Sequence, residues 1–185
     1  MDGGHTLFDT AIGAIGIAWG PHGVVAVQLP EADATRTRAR LLKGLPPLPE
    51  DAHPPAPVQA AIDGVQALLA GASRSDLREI ALDMSGLTPF QREVYALARA
   101  IPPGETRTYG ELAEALGDAG LARAVGQAMG HNPFAPIVPC HRVLAAGGRS
   151  GGFSGGSGVP TKLRMLQIER ARIGNEPGLF DGEPP

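Results

Sequence analysis

The chain has 185 residues, enough for one large hydrophobic core or two small ones, and 43% of its residues are hydrophobic and 19% charged, as in an ordinary globular protein. No apolar run reaches the roughly 18 residues that a membrane-spanning helix needs, and the first residues lack the basic and apolar segments of a signal peptide. These features argue against a membrane-embedded or exported protein, and we expect a cytoplasmic location.

The net charge of −3 is unevenly distributed along the chain. Residues 1–84 carry 6 basic and 10 acidic side chains, whereas residues 85–172 carry 10 basic and 6 acidic ones. A positive balance is the sign that a phosphate-binding surface needs, although an ordinary solvated face would carry it too. Residues 173–185 are acidic and rich in glycine and proline, and this composition predicts a disordered tail.

The first 84 residues are predicted to form an α/β domain. Three apolar segments broken at glycines predict an antiparallel meander of strands over 6–12, 14–19 and 24–29. Helical spacing predicts helices over 32–45 and 57–72, with a stiff proline-rich loop between them, and alternation predicts a further strand over 77–82. His5, His22 and His53 lack the spacing of metal ligands, so they are interpreted as surface residues.

Helix-capping signals open the second region, residues 85–172. In Thr88-Pro89-Phe90-Gln91 the threonine suits an N-cap, the proline suits the first helical position, and the glutamine completes a capping box. Thr108 and Glu111 repeat the signal and predict a short helix, which a turn at 117–120 separates from a helix over 121–129. This is the spacing of a helix-turn-helix motif, although helix pairs also pack this way without binding DNA.

The second helix of this pair carries Arg123 beside the small residues Ala124 and Gly126. Small residues let a helix approach a groove closely, which favours nucleic-acid binding over plain packing. Asn132-Pro133 then favours a turn, and seven glycines within 147–158 indicate a mobile or close-contact loop. A closing helix is predicted over 161–171 and includes Glu169.

Cysteine occurs once, within Pro139-Cys140-His141-Arg142-Val143. A lone thiol can form neither an internal disulfide nor a thiolate zinc site, and we expect no metal. Imidazole and guanidinium groups favour the thiolate, which is the nucleophilic form. The two residues after Cys140 therefore point to chemistry at this thiol, whereas a single cysteine taken alone is more often a small buried hydrophobe.

Tyr109, Arg123-Ala124-Val125-Gly126, Asn132-Pro133 and the cysteine motif follow one another in this order between positions 109 and 143. Together they closely resemble the methylated-DNA–protein-cysteine methyltransferases, the 6-O-alkylguanine-DNA alkyltransferases. The resemblance is strong over 85–170 and looser over 1–84. It implies a ribonuclease-H-like α/β domain followed by a mainly helical, winged-helix-like domain. It also implies a monomer that needs no cofactor and acts on double-stranded DNA containing alkylated bases.

Carried over residue by residue, the resemblance implies that Cys140 attacks the alkyl carbon on the exocyclic oxygen of guanine and keeps the alkyl group. One molecule would then repair one base. His141 would take the thiol proton through a bound water, and Glu169 would orient the imidazole. Tyr109 would donate its hydroxyl to the base, and Asn132 would brace the turn that carries the cysteine.

The resemblance also implies that the second helix enters the minor groove and that the damaged base is flipped into a pocket, because the alkyl group is out of reach inside the base stack. Arg123 would fill the gap that the base leaves. DNA or base contacts are implied for Arg123, Ala124, Gly126, Arg142, Val143 and Ser154. The chain departs from the family at Gly130, often basic in relatives, at Gln127, often glycine, and over 154–162, which looks longer.

Three rival interpretations remain for these motifs. A non-catalytic helix-turn-helix protein that binds alkyl lesions would share the fold but lack the cysteine, so Cys140 argues against it. A cysteine hydrolase would need an oxyanion hole and usually a base from a distant segment, and neither signature is present. A plain helix-turn-helix regulator would leave the cluster around Cys140 unexplained.

Overall fold

A computed structural model describes residues 2–153, 155–156 and 158–172 of the chain. The predictions for Ser154 and for a disordered tail over 173–185 lie outside these residues. The chain opens with an antiparallel sheet in the order β1–β2–β3, which confirms the predicted meander. Its strands are β1 (Gly4–Thr10), β2 (Gly13–Gly20) and β3 (Gly23–Gln28). Gly23 has a φ of +132°, and a Cβ there would lie 2.5 Å from the carbonyl oxygen of Ala81, so the hairpin requires glycine.

Two helices follow this sheet, α1 (Ala34–Leu41) and α2 (Ala56–Leu69). The Asp33 side chain caps α1 by accepting from the backbone N–H of Arg36, which fixes the start of the helix two residues inside the predicted range. Helix α1 packs against β2 and β3. Helix α2 buries an apolar stripe at helical spacing, and its buried residues are Val58, Ala61, Ile62, Val65, Leu68 and Leu69.

Two predictions for the N-terminal half were wrong. Residues 77–82 do not form a strand, and only Leu82 makes an isolated bridge, to Val24. The carbonyls of Leu77, Arg78 and Ile80 instead accept hydrogen bonds from the Arg99 guanidinium, which takes the place of a strand partner. His5 is not on the surface: it is 4% exposed, because the proline-rich loop packs over it and the Leu48 carbonyl bonds its Nδ1.

The C-terminal half is mainly helical. Both predicted capping boxes are present, Thr88–Gln91 at the start of α3 (Pro89–Arg99) and Thr108–Glu111 at the start of α4 (Tyr109–Ala115). A turn with a short 3-10 segment joins α4 to α5 (Ala122–Gly130), as the helix-turn-helix prediction requires. Two short strands, β4 (Arg107–Thr108) and β5 (Val143–Leu144), pair in parallel, and α6 (Val159–Ile168) closes the fold.

Buried side chains from both halves form one contiguous hydrophobic cluster that includes Trp19, Tyr95, Val125 and Met165. The sheet also bonds directly to the segment before the cysteine, because the N–H of Val27 donates to the carbonyl of Pro133 at 2.7 Å. The N-terminal half thereby supports the loop that positions Cys140. Across the described residues, no helix is both long and apolar enough to span a membrane.

Candidate active site

Cys140 opens a 3-10 turn, Cys140–Arg142, between the loop after α5 and strand β5. The side chain is 6% exposed and lies at the wall of a cavity of about 160 Å³. Tyr109, the first residue of α4, and Asn132 also line this cavity. Its other lining residues are Val27, Gln28, Leu29, Arg40, Met129, Gly130, His131, Ala135, Gly152, Phe153 and Gly155. The cavity is therefore built by both halves of the chain around the lone thiol.

Asn132 holds the loop that leads to the cysteine. Its side-chain Nδ2 donates to the carbonyl of Val138 at 2.7 Å, and its Oδ1 accepts from the N–H of Phe134 at 2.9 Å. These bonds close the turn at both ends, as a bracing residue would. The Asn132 side chain also acts on the thiol itself, because its hydrogen bond lowers the pKa of Cys140 against the larger effect of burial.

His141 is buried and bonded to Glu169, the residue that caps α6. Nε2 of His141 lies 2.9 Å from Oε1 of Glu169, so the carboxylate fixes a tautomer in which Nε2 carries the proton. Nδ1 is then an acceptor, and it has no hydrogen-bond partner among the described residues. A histidine with one nitrogen anchored and the other open is the arrangement that a general base needs.

The side chain of Arg142, a residue for which a DNA or base contact is predicted, is buried within this cluster. The residue is 1% exposed, and its Nε and Nη2 donate to the Glu169 carboxylate at 2.7 to 3.2 Å. Its Nη1 donates to the carbonyl of Ile101 at 2.7 Å. Arg142 thus neutralises Glu169 and joins α6 to the end of α3.

The pKa values within this cluster follow from burial and charge. Burial alone would raise the pKa of Glu169, but His141 and Arg142 outweigh it and lower that pKa to about 2. Burial is the largest effect on His141 and lowers its pKa, which keeps the imidazole neutral. Burial also raises the pKa of the Cys140 thiol. The expectation that His141 and Arg142 favour the thiolate as its neighbours was therefore wrong, because one is neutral and the other is bound to Glu169.

The remaining predicted residues divide between the cavity and the surface of α5. Gly151 packs on Tyr109: its φ is +64°, and a Cβ there would lie 3.1 Å from the Tyr109 hydroxyl. Ala124 and Gly126 are half-buried, and Gly126 faces the Tyr109 ring. The side chain of Val143 is fully buried in β5, so any base contact would fall to its backbone.

Arg123 is exposed and has no hydrogen-bonding or ionic partner among the described residues. Gln127 and Gly130 follow it at helical spacing and are exposed as well. We call these three residues the α5 face. The face points away from the core, whereas Val125, Ala128 and Met129 of the same helix are buried.

Sequence reasoning missed Lys162, which is fully buried beside Val143 on α6. It also missed the cavity residues from the N-terminal half, among them Leu29 and Arg40. No local signal marks these residues, because their roles depend on contacts between segments far apart in the sequence. Lysine is scarce in the chain, but scarcity alone would not separate Lys162 from Lys43.

Fold and site together define a class of protein, in which the second helix of a helix-turn-helix runs into a loop that carries a buried cysteine. Residues 89–171 match the family model described as 6-O-methylguanine DNA methyltransferase, DNA binding domain. The methylated-DNA–protein-cysteine methyltransferase of Mycobacterium leprae is 40% identical over 94% of this chain and 96% of its own length. That of Mycobacterium tuberculosis is 44% identical over 69% of this chain and 74% of its own length.

The solved structure of Mycobacterium tuberculosis OGT in complex with DNA superposes with a TM-score of 0.71 and 34% identity, covering 89% of this chain and 91% of that one. The methyltransferase structure from Pyrococcus kodakaraensis gives a TM-score of 0.65 at 30% identity, covering 89% of this chain and 98% of that one. The chain belongs to the methylated-DNA–protein-cysteine methyltransferase family.

Proposed function

We propose that this protein repairs 6-O-alkylguanine in double-stranded DNA by moving the alkyl group onto Cys140. The observation that carries the proposal is the placement of the lone thiol in a cavity with Tyr109, directly before a histidine that Glu169 anchors. Family membership supplies the substrate class, and the helix-turn-helix supplies the surface for the duplex.

The geometry supports a single displacement at the alkyl carbon. The Cys140 proton passes through a water molecule to the open Nδ1 of His141, and Glu169 stabilises the imidazolium that forms. The sulfur then bonds to the alkyl carbon while the carbon–oxygen bond breaks. The electron pair of the broken bond stays on the guanine oxygen. Tyr109 at the cavity wall donates its hydroxyl to the base as charge develops there. The His141 imidazolium then returns its proton through water to the guanine anion, so the products are intact guanine and S-alkylcysteine and His141 is neutral again.

The alkylated base must leave the duplex to reach this cavity, since Cys140 is 6% exposed. In this proposal the α5 face lies in the minor groove, and Arg123 fills the space that the flipped base leaves in the stack. Arg123 is suited to this role because it is exposed and no described residue holds its guanidinium. The half-buried Ala124 and Gly126 allow the helix to lie close to the DNA backbone.

The finer description of the fold belongs to the same proposal. We assign a ribonuclease-H-like domain to residues 1–84, supported by the three-stranded antiparallel sheet and its two helices. A winged-helix-like domain is assigned to 85–172, supported by the helix-turn-helix and the small β4–β5 sheet. We further propose a cytoplasmic monomer, which suits a protein that relies on one free thiol.

The test is a count of turnovers. A thioether is a poor leaving group, so transfer should stop at one equivalent. The protein is incubated with excess duplex containing one 6-O-methylguanine, and its intact mass and peptide masses are measured. We expect the added mass of one methylene, located on Cys140, and an equal amount of repaired guanine. Repeated turnover, or repair that leaves Cys140 unmodified, would exclude the suicide mechanism.

Cys140→Ala separates this function from the alternative of a lesion-binding protein without catalysis. The variant should transfer no methyl group yet bind the lesion duplex, because phosphate and groove contacts lie on α5. If wild-type protein bound the duplex and left the methyl group on guanine, the non-catalytic alternative would stand. Loss of binding by a folded Cys140→Ala protein would assign the cysteine a structural role instead.

A further inference from the structure

Lys162 is a fully buried cation for which the mechanism above has no use. It lies on α6, and its Nζ donates to the carbonyl of Val143 at 2.6 Å. Among the described residues that carbonyl is its sole hydrogen-bond acceptor. A buried ammonium is costly unless it is paired, so one carbonyl leaves most of the burial cost of Lys162 uncompensated.

The surroundings of Lys162 are those of the thiol. Its Nζ lies 6.0 Å from the centroid of the Tyr109 ring and 5.7 Å from that of Phe153, and both rings line the cavity that holds Cys140. Aromatic faces attract a cation, which holds the ammonium near these two rings of the cavity wall. Among the described residues Glu169 has the one buried carboxylate, and it is bonded to His141 and Arg142.

We propose that Lys162 supplies the positive charge that stabilises the Cys140 thiolate. This inference rests on the proposed function, since the thiolate is the nucleophile of the transfer. Lys162 acts through Cys140 and exchanges no proton: the ammonium keeps its protons while His141 receives the thiol proton through water. Once the sulfur is alkylated, the negative charge is gone and the ammonium loses its partner.

The electrostatics of the groups around Nζ agree with this assignment. Burial lowers the pKa of Lys162 to about 8, and the Cys140 thiolate acts in the opposite direction. Burial raises the pKa of Cys140, and Lys162 is among the groups that oppose it. Lys162 also lowers the pKa of His141, which helps to keep that base neutral. The third titratable neighbour of Lys162, Tyr109, has a pKa raised mainly by burial and so remains a protonated donor.

The chain offers a direct test because Cys140 is its one cysteine and Lys43 and Lys162 are its two lysines. The rate of Cys140 alkylation by iodoacetamide, measured against pH, gives the thiol pKa without DNA. Lys162→Met removes the charge at similar length, Lys162→Arg retains a charge, and Lys43→Met is the matched control at an exposed position. Thermal unfolding and repair of a 6-O-methylguanine duplex are measured for each variant.

We expect Lys162→Met to raise the thiol pKa by about one unit, which reduces the thiolate fraction and the repair rate at neutral pH about tenfold. Lys162→Arg should recover most of the loss, and Lys43→Met should match the wild type. A folded Lys162→Met protein with an unchanged thiol pKa would overturn the inference, whatever its repair rate. Failure of the wild type to transfer a methyl group would refute the proposed function but leave the difference in thiol pKa to decide this inference.

A second measurement avoids substitution of Lys162. With ¹³C-labelled lysine, NMR titration resolves two lysine signals, and the signal that is missing from Lys43→Met belongs to Lys43, which assigns the other to Lys162. Because the thiolate raises the pKa of Lys162, Cys140→Ser and S-methylated protein should both show that pKa lowered relative to the wild type. A Lys162 pKa that stays the same in all three proteins would overturn the inference even if every Lys162 variant failed to fold.

Discussion

The cluster beneath Cys140 and the α5 face differ in how firmly the fold holds them. His141 and Arg142 are buried and both bond to the buried Glu169, and Arg142 also donates to the carbonyl of Ile101, just after α3. Arg123 on the α5 face is exposed and has no partner among the described residues. We therefore propose that the chemistry is preorganised within the fold, whereas the α5 face acquires its contacts from DNA. Changes in the first region should affect stability and transfer together, and changes in the second should affect only the duplex reaction.

Glu169→Gln should have the largest effect, because it leaves the buried Arg142 charge without its carboxylate. Removal of one member of a buried ion pair costs about 3–5 kcal/mol of unfolding free energy. Transfer should also be nearly lost, since His141 loses its anchor. Urea unfolding and single-turnover repair rates measure the two effects. Glu105→Gln is the control, because Glu105 pairs with Arg107 at 3.0 Å on the surface and should cost less than about 1 kcal/mol. Equal losses for both variants would contradict the special position of Glu169.

The same cluster predicts acid sensitivity. The pKa of Glu169 is lowered from 4.5 to about 2, so its stabilising contribution is complete above pH 4.5 and is lost as the pH falls towards 2. The pKa of His141 is lowered from 6.5, so the folded state also loses stability as the pH falls below 6.5. Unfolding free energy should thus decline below pH 6.5 and more steeply below pH 4.5. Glu169→Gln should flatten the lower part of that curve.

Arg123→Ala tests the α5 face, the second of the two regions, and should have the second largest effect on repair. If Arg123 fills the gap left by the flipped base, loss of even about 2 kcal/mol of that support slows duplex repair about 30-fold. Reaction with the free alkylated base should change far less, because no base has to be unstacked. Both rates are measured with the same protein, together with its unfolding free energy.

Two variants control the Arg123 experiment. Arg123→Lys should rescue only partly, since an ammonium lacks the planar stacking surface of guanidinium. Arg164→Ala removes an exposed arginine from α6 and should leave both substrates unaffected. Equal losses on duplex and free base for Arg123→Ala would place Arg123 in the support of the cavity rather than in the groove.

The sequence predicted the features that depend on local contacts and missed those that depend on contacts between distant segments. The capping boxes at Thr88 and Thr108 are local signals, and the helices they predict are present with the helix-turn-helix. The strand over 77–82 failed because Arg99, about twenty positions away, takes the carbonyls. The burial of Arg142 was not predicted for the same reason, since its partner, Glu169, follows α6 and is 27 positions away.

The interpretation of the thiol was limited in the same way. Adjacent residues in the motif indicated a reactive cysteine, but burial reverses the effect expected of those neighbours. The cation that the structure brings to the cavity, Lys162, is 22 positions further along the chain and has no motif of its own. The sequence therefore indicated a reactive cysteine but could not show the electrostatic environment of its thiol, which depends on the fold.

The smallest expected effect is a gain at Gly130, the exposed last residue of α5. A Cβ at Gly130 would meet no atom within 4 Å, so a lysine fits there without strain. Gly130→Lys should add one phosphate contact, which tightens duplex binding a few-fold and steepens the dependence of log affinity on log salt by about one.

The measurement for Gly130→Lys is duplex affinity over a series of salt concentrations, with the methyl-transfer rate at saturating DNA as a second readout. Gly86→Lys adds the same charge at another exposed glycine, where a Cβ also meets no atom within 4 Å, but lies outside α5. If the position of the added lysine determines its effect on binding, only Gly130→Lys changes the salt dependence of duplex affinity. Neither variant then changes the methyl-transfer rate at saturating DNA. Equal tightening by both variants would mean that net charge, rather than the α5 face, governs binding. A slower saturated rate for Gly130→Lys would mean that the new side chain enters the cavity, whose wall Gly130 shares, instead of reaching the backbone of the duplex.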